Sequence, residues 1–320
     1  MKARRKTYCL LLLFGITFCL WGCQKEIQLD LPGHEPKLVL DGRIETGTPP
    51  IILLSKSNDI YAPTSLMDFA AVFQDGAEVT VSNGSDDIVL DEICSDNIPE
   101  EFKSIFAEQV GVSDEILDQL SICFYTSLNP VIFGEVGKTY TLTIKHEGET
   151  YQGATTLLPP VPLDSLYWKE DQKVKDNGLS WVTLSDPPGQ YDAYFWEVKR
   201  LNRSLADSLQ DAFKPTFNPV FDDVFFDGLT FNFAYENPHN FKAETPSEER
   251  GFYQRGDTVV VKFSKLDADV YQFFEKKYIQ LQSGGSPFAN PINVPSNMSN
   301  GLRGVWAGFS PYYDTLICED

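Results

Sequence analysis

The feature that most limits the fold of this chain is a succession of short apolar runs separated by turn residues. In the first half, the runs of this form are Lys37–Gly42, Ile51–Leu54, Ala77–Val81, Ile88–Ile93, Thr139–Lys145 and Tyr151–Leu157. Turn signals such as Asn83-Gly84 and Glu147-Gly148 stand between them. Val, Thr, Tyr and Phe are frequent in the runs and favour strands. Short strands at this spacing predict a mainly β fold, with a β-sandwich in this half.

A proline segment divides the chain. Three of the four residues in Pro159–Pro162 are proline, which cannot donate to a strand ladder and stiffens a linker. We therefore predict an N-terminal β-sandwich domain over residues 37–158 and a C-terminal β-rich domain over residues 159–320. The second domain opens with three strand-like runs whose layout resembles a fibronectin type III module: Asp164–Trp168, Ser180–Leu184 and Ala193–Leu201.

Two segments have helical spacing instead. The first lies between two cysteines and contains Phe102, Ile105, Phe106, Ile116, Leu117 and Leu120, so we predict a helical insertion over residues 95–122. In the second, one helix face carries Val270, Tyr271, Phe274, Tyr278 and Leu281, and Gly284-Gly285 follows. This pattern predicts a helix over about residues 267–283.

The cysteines that flank the insertion, Cys94 and Cys123, are predicted to form a disulfide, because they enclose a segment that looks like a separate helical excursion. Closing a loop of this length stabilises a protein by about 3–4 kcal/mol in the chain-entropy view. Cys318 is then left without a partner, and the sequence offers no nearby histidine that would make it reactive.

The N-terminus has the form of a secretory signal. Four positive residues precede an uncharged run from Tyr8 to Trp21, which is shorter than the roughly 20 apolar residues of a spanning helix. Leu20 and Gly22 match the positions that a lipoprotein peptidase reads before Cys23. We predict that residues 1–22 are cleaved, that Cys23 is acylated, and that residues 23–36 form a lipidated tether. The alternative is an ordinary signal peptide in which Cys23 has no role.

The charge of the chain limits its partners. The formal charge is −20, and removal of residues 1–22 would make it −24. A phosphate backbone would be repelled, so a generic nucleic-acid binder is excluded. Gln24-Lys25-Glu26 resembles the short export signal that sends lipoproteins of Bacteroidota to the outer face of the outer membrane. A simple solvated tether, with the protein facing the periplasm, is the other interpretation of these three residues.

Several short stretches occur in a recognisable order along the mature chain. They are Ile27–Pro32, Lys37–Gly42, Gly137–Leu142, Phe225–Gly228, Gly256–Val261, Asn290-Pro291, Val294–Asn297 and Gly301–Phe309. Together with Cys23 they resemble a family of Bacteroidota outer-membrane lipoproteins of unassigned function, often encoded beside TonB-dependent receptors. The resemblance implies an outer-membrane location and a TonB-dependent receptor barrel as neighbour. It brings no catalytic residues.

The residues offer little catalytic chemistry. Only three histidines occur, and the usual hydrolase, metal and phosphate-binding motifs are missing. The segment Asp222–Gly228 supplies carboxylates, but Phe225 stands where an EF-hand loop needs a ligand and no glutamate closes the loop. We predict a turn whose acids cap backbone groups, with no metal, no cofactor and no catalytic residue. Paired carboxylates of a hydrolase would be invisible in sequence, so a hidden hydrolase stays a third hypothesis.

Aromatic residues are the better functional signal. Phe217, Phe221 and Phe225 lie in a segment where Pro215 and Pro219 prevent a regular helix and favour an extended strip. A second group near the C-terminus includes Trp306 and Tyr312. Filling of the core is one interpretation of these five residues, and contact with a partner barrel or ligand is the sharper one.

From these observations we expect a non-enzymatic lipoprotein of the outer membrane, anchored through Cys23 and exposed on the cell surface. We expect it to act as an accessory or ligand-presenting partner of a TonB-dependent transporter. The alternative is a structural or adhesive envelope protein with no transport role.

Overall fold

The computed structural model describes residues 35–58, 65–98, 103, 107, 117, 119–120, 122–202, 212–241, 243, 245–283 and 292–319. Every element with described bounds belongs to one compact unit, Pro36–Asp320. The unit is mainly β, as predicted. Its strands are β1 Leu38–Glu45, β2 Ile51–Lys56, β3 Glu78–Ser82, β4 Asp87–Val89, β5 Asp91–Cys94, β6 Cys123–Thr126, β7 Thr139–His146, β8 Glu149–Thr156, β9 Ser165–Glu170, β10 Asn177–Ser185, β11 Ala193–Arg200, β12 Lys214–Asp222, β13 Thr230–Tyr235, β14 Tyr253–Gln254, β15 Thr258–Leu266 and β16 Arg303–Ile317.

Two helices have described bounds: α1, Leu66–Ala71, and α2, Ala268–Ser283. Asp267 caps α2, because its Oδ1 accepts a hydrogen bond from the Val270 backbone N–H at 2.9 Å. Its Oδ2 also accepts from the Thr155 hydroxyl at 2.7 Å, which ties the helix start to β8. The long C-terminal helix is therefore present where the sequence predicts it. Most of the predicted insertion, residues 95–122, lies outside the described residues.

The strands form three sheets. The large sheet has eight strands in the order β12-β11-β15-β16-β1-β2-β6-β5. A second sheet has the order β13-β10-β14, with β9 also paired to β10, and a third has the order β4-β3-β7-β8. At its centre the large sheet pairs β1 with β16 in parallel. The turn residues allow adjacent antiparallel strands to pair. Between β7 and β8, Glu147 and Gly148 have φ of 49° and 85°, as a two-residue hairpin turn requires.

One face of the large sheet carries both small sheets. Leu40 and Trp306 form a core with residues of the third sheet such as Leu142. Trp196 and Phe263 form a second core with residues of the second sheet, and this core also contains Leu316. Trp306 and Leu316 are an even number of residues apart on β16, so they point to the same face. The architecture is therefore two sandwiches, side by side, that share one sheet.

The opposite face of the large sheet is covered in part by α2. Val305, Ala307 and Phe309, which alternate with Trp306 along β16, pack against α2 residues including Val270 and Phe274. Toward the β5 edge, the same face is covered by a fourth cluster, in which Leu53 and Phe124 pack with the buried residues Ala107, Leu117 and Leu120. The helix and this cluster leave a gap between them.

The predicted boundary near Pro159 separates the strands of the two small sheets. It does not separate the strands of the large sheet from one another into independent sheets. Strands β1, β2, β6 and β5 precede the proline segment, and β12, β11, β15 and β16 follow it. Both halves therefore contribute four strands to the large sheet, whose backbone hydrogen bonds join them.

Candidate functional site

The predicted anchor, Cys23, lies outside the described residues, as does His34. Within the described part of the chain, no helix is long and apolar enough to cross a membrane. The candidate sites below therefore all belong to the compact unit.

The cysteines of the unit are placed as predicted. Cys94 and Cys123 lie opposite each other on β5 and β6 and form a disulfide. Cys318 is a free thiol that is fully buried in the second core. Burial raises the pKa of the Cys318 thiol to about 12. Because the thiolate is the nucleophile, this cysteine has the properties of a packing residue.

The structure divides the five aromatic residues of the predicted contact set. Trp306 is fully buried, and its indole N–H donates to the Tyr140 carbonyl at 2.9 Å, so it is a core residue and not a contact surface. Gly42 makes room for it, because a Cβ at that position would lie 2.9 Å from the Trp306 ring. Phe221 and Tyr312 are half-buried against the second core.

The other two aromatic residues, Phe217 and Phe225, are exposed over 62% and 93% of their surface. Phe217 lies on β12, and Phe225 lies in the turn that follows it. Phe225 lines a groove of about 330 Å³ between β12 and α2, and Ile279 of the helix lines the same groove. The Gln282 side chain donates to the Phe217 carbonyl at 2.8 Å, which fixes the end of α2 beside β12. We call Phe217, Phe225 and Ile279 the β12 surface.

The edge position of β12 determines how this surface can make contacts. The strand is the last of the large sheet, and it contains Pro215 and Pro219. Proline has no backbone N–H, so an edge with two prolines is a poor template for adding another strand. A partner at the β12 surface would therefore bind to the exposed side chains. Ile279 was not identified from the sequence, because its nearness to Phe225 depends on how the helix packs.

A cavity of about 490 Å³ opens beside α2 on the same face of the large sheet. Aromatic and charged residues line it together, among them Arg43, Glu197, Phe213, Lys277 and Tyr278. Burial and the Glu197 carboxylate raise the pKa of Tyr278, so its phenol remains protonated. Pockets of this size and mixed lining accommodate small organic molecules in other proteins.

A buried ion pair lies at the edge of this cavity. The Lys262 ammonium is 2.5 Å from a Glu45 carboxylate oxygen and 3.5 Å from a Glu197 oxygen. The Tyr313 hydroxyl also donates to Glu45, at 2.5 Å. The Arg43 guanidinium and the Lys262 ammonium both lie over the Phe309 ring, at 5.5 and 5.8 Å. Positive and negative groups are thus nearly matched in number here.

Among the residues that the structure describes, two groups have ligand atoms close enough to hold a metal ion. Glu92 with Cys94 and Cys123 is the first, but both cysteines are in the disulfide and cannot supply thiolates. Asp186, Asp223 and Asp227 are the second, with carboxylate oxygens that all lie within 4.8 Å of one another. The sequence pointed to Asp222–Gly228 but not to Asp186, which comes from a different turn.

The two described histidines have ordinary structural contacts. His146 ends β7, and its Nε2 lies 4.0 Å from the Glu147 carboxylate. His239 is buried, with its Nε2 2.8 Å from the Val198 carbonyl of β11.

The fold and its surface define a mainly β protein with an exposed aromatic edge. The sequence model of one family, described as a domain of unknown function (DUF4249), matches residues 24–309. The chain belongs to this family. The match covers all sixteen described strands except the end of β16. No curated protein matches the chain.

Proposed function

We propose that the protein is a non-enzymatic lipoprotein of the outer membrane, anchored by acylated Cys23 and exposed on the cell surface. It acts as an accessory or ligand-presenting partner of a TonB-dependent transporter. The signal-like N-terminus and the resemblance to Bacteroidota lipoproteins encoded beside such receptors support the location and the class of partner. The charge of −20 agrees with a domain that stands in water above a membrane.

The observation that carries the contact role is the exposure of the β12 surface. Phe225 is exposed over 93% of its surface, the highest value among the exposed large hydrophobic residues in the described part of the chain. Burying one such side chain contributes about 1.5–3 kcal/mol to association. Aromatic anchors of this kind often dominate binding energies, so Phe217 and Phe225 are the first residues to change.

The direct test is affinity purification of the tagged, acylated protein from detergent-solubilised outer membranes, followed by mass spectrometry. We expect a TonB-dependent barrel in stoichiometric amount. The double variant Phe217→Ser and Phe225→Ser should lose most of the barrel. The control is Tyr167→Ser, because Tyr167 is 43% exposed but lies on β9 in another sheet.

Two results would count against this proposal. Recovery of the protein alone at every detergent strength would remove the partner. Equal recovery of the barrel with the double variant and the control would move the contact away from the β12 surface. A deletion strain with unchanged nutrient uptake but altered attachment or envelope integrity would favour the alternative, a structural or adhesive envelope protein.

The anchor needs a separate test. Metabolic labelling with a clickable fatty acid should mark the wild-type protein and leave Cys23→Ser unlabelled. Protease added to intact cells should then digest the acylated protein if it faces outward. Labelling of the serine variant would refute the assignment of Cys23, and protection from protease would indicate a periplasm-facing domain.

Two details of the fold belong to the same proposal. We propose that residues 95–122 form a helical insertion bracketed by the disulfide, because Lys103, Ala107 and Leu117 are helical and the latter two are buried. We also propose a fibronectin-III-like start of the second half, which the β9–β10 hairpin supports. Hydrogen exchange of the insertion before and after reduction of the disulfide tests the first of these.

A further inference from the structure

Two turns meet beside the start of β11. Asp186 lies in the turn after β10, and Asp223 and Asp227 lie in the turn after β12. Backbone contacts join the turns, because the Gly189 N–H donates to Asp227 Oδ1 at 2.7 Å and the Gly228 N–H donates to Asp186 Oδ2 at 3.1 Å. The carboxylates of the two turns are thereby held near one point.

Within this group, one buried carboxylate oxygen of Asp223 receives no hydrogen bond from the protein. Asp223 is only 2% exposed, and its Oδ2 has no hydrogen-bond partner. Its ligand oxygen lies within 4.8 Å of those of Asp186 and Asp227. A buried carboxylate oxygen without a donor is costly, and in native proteins it usually has an ion or water as partner.

The local charge is also unbalanced. Asp192 adjoins the group, since its backbone carbonyl accepts from the Asp223 N–H at 3.0 Å. The Lys265 ammonium binds Asp192 at 2.6 Å, and both side chains are at most 5% exposed. Within the described part of the chain, Lys265 is the one cationic side chain that forms an ion pair with this group of four aspartates. Burial, with the Asp186 and Asp192 charges, raises the pKa of the Asp223 carboxyl, as expected where anions crowd together.

We propose that Asp186, Asp223 and Asp227 form a binding site for a divalent cation with the ligand preference of Ca²⁺. All three ligands are carboxylates, and hard cations take oxygen ligands. Oxygens that all lie within 4.8 Å of one another can share one Ca²⁺, because Ca²⁺–oxygen distances of about 2.3–2.6 Å allow ligand oxygens to lie up to about 5 Å apart across the ion. Mg²⁺ needs a tighter octahedron and retains several waters, so it fits these fixed carboxylates less well.

The site is reached from solvent and adjoins the β12 surface. Asp227 is exposed, whereas Asp186 and Asp223 are buried, so an ion enters from the side of Asp227. Asp223 and Asp227 flank Phe225 in one turn. Cation binding therefore fixes the turn that carries this exposed ring. Cation binding at this site does not require a transporter, because all three ligands belong to this chain.

The test is calorimetric titration of the full chain, purified in detergent and stripped with a chelator, with CaCl₂ as the probe. We expect one ion per chain, with a dissociation constant in the range of extracellular calcium modules, about 10⁻⁴–10⁻³ M. MgCl₂ should bind at least tenfold more weakly. Tb³⁺ should give sensitised emission, because the Tyr194 hydroxyl lies 2.6 Å from Asp186 Oδ1.

The variants locate the ion. Asp223→Asn and Asp227→Asn should each weaken Ca²⁺ binding at least tenfold, and exposed Asp227 provides a variant whose folding is not at risk. Asp222→Asn is the matched control, because Asp222 accepts from the Tyr191 hydroxyl at 3.3 Å and is outside the group. No Ca²⁺ heat at millimolar concentration in the folded wild type would overturn the proposal. Equal binding by all three variants would do the same.

Discussion

Two buried lysines on β15 provide the most useful comparison in this molecule. Lys262 faces α2 and the cavity, where it meets two glutamates and has Arg43 nearby. Lys265 points to the other face, where it binds Asp192 beside three more aspartates. Both lysine side chains are at least 93% buried. The two lysines lie on the same strand and are buried to a similar degree. The numbers of positive and negative groups around them differ.

The difference shows how a strongly acidic protein can bury charge in two ways. Near Lys262, side chains of the protein itself supply nearly as many positive as negative groups. Near Lys265, carboxylates outnumber the ammonium, and a solvent cation is the natural remaining partner. A buried ion pair is expensive to break in either case, because the group that remains is charged and desolvated.

The largest effect should come from Lys265→Met in the presence of a chelator. This change leaves Asp192 and its neighbours without any cation, so we expect stability to fall by about 5 kcal/mol, the upper end for a broken buried pair. Urea unfolding followed by fluorescence measures the loss. Lys265→Arg keeps the charge and serves as the control. Calcium should restore part of the loss, and a loss below about 1 kcal/mol would contradict a buried excess of negative charge beside Lys265.

Lys262→Met should have the second largest effect. It leaves Glu45 and Glu197 unpaired, but Arg43 remains close, so we expect a loss of about 3 kcal/mol. The same unfolding experiment applies, with calcium and chelator compared directly. Because no proposed cation ligand lies in this cluster, calcium should not change the effect of the substitution. A calcium-dependent loss equal to that of Lys265→Met would remove the contrast between the two lysines.

Tyr194→Phe tests the hydrogen bonds of the acidic group. The fully buried Tyr194 hydroxyl donates to Asp186 at 2.6 Å and lies 3.3 Å from Asp192 Oδ2. Hydrogen bonds to charged groups contribute about 1.5–3 kcal/mol, so we expect a loss of about 2 kcal/mol. The counterpart near Lys262 is Tyr313→Phe, which should cost less because Tyr313 is 47% exposed. A reversed order of these two losses would contradict the assignment of burial as the cause.

The smallest effect should appear in the reactivity of Cys318, which lies in the same core as Tyr194. Its pKa of about 12 and full burial predict slow alkylation in the native state and fast alkylation in urea. Calcium at ten times its dissociation constant adds about 1.4 kcal/mol of stability, which should slow alkylation about tenfold. Peptide mapping of Cys318 measures the rate. In Asp223→Asn, calcium should leave the rate unchanged.

The sequence predicted the structural features that depend on residues close to one another along the chain. The β7–β8 hairpin follows from Glu147-Gly148, and α2 follows from the helical spacing of its apolar face. The Cys94–Cys123 disulfide is confirmed. These features depend on turn chemistry and periodicity, which can be recognised within a few residues.

Contacts between distant segments were not predictable in the same way. β16 contains Gly304, Gly308 and Pro311, which usually interrupt a strand, and its partners are far away in sequence. The burial of Trp306 depends on the pairing of β16 with distant strands, which the sequence does not reveal. For this reason the sequence pattern places Trp306 among the candidate contact residues. Asp186 joins Asp223 and Asp227 only when two separate turns meet, so no spacing rule identifies it.

The pairing of β1 with β16 sets when folding can be completed. Val39 pairs with Arg303 and Glu45 with Phe309, although every other described strand lies between them in sequence. Until β16 has been synthesised, β1 has one open edge in the middle of the future sheet, and the two halves cannot be joined. Such distant contacts form slowly and leave strand edges exposed to aggregation in the meantime. A nascent chain therefore cannot complete its large sheet until β16 has been synthesised and pairs between the two halves.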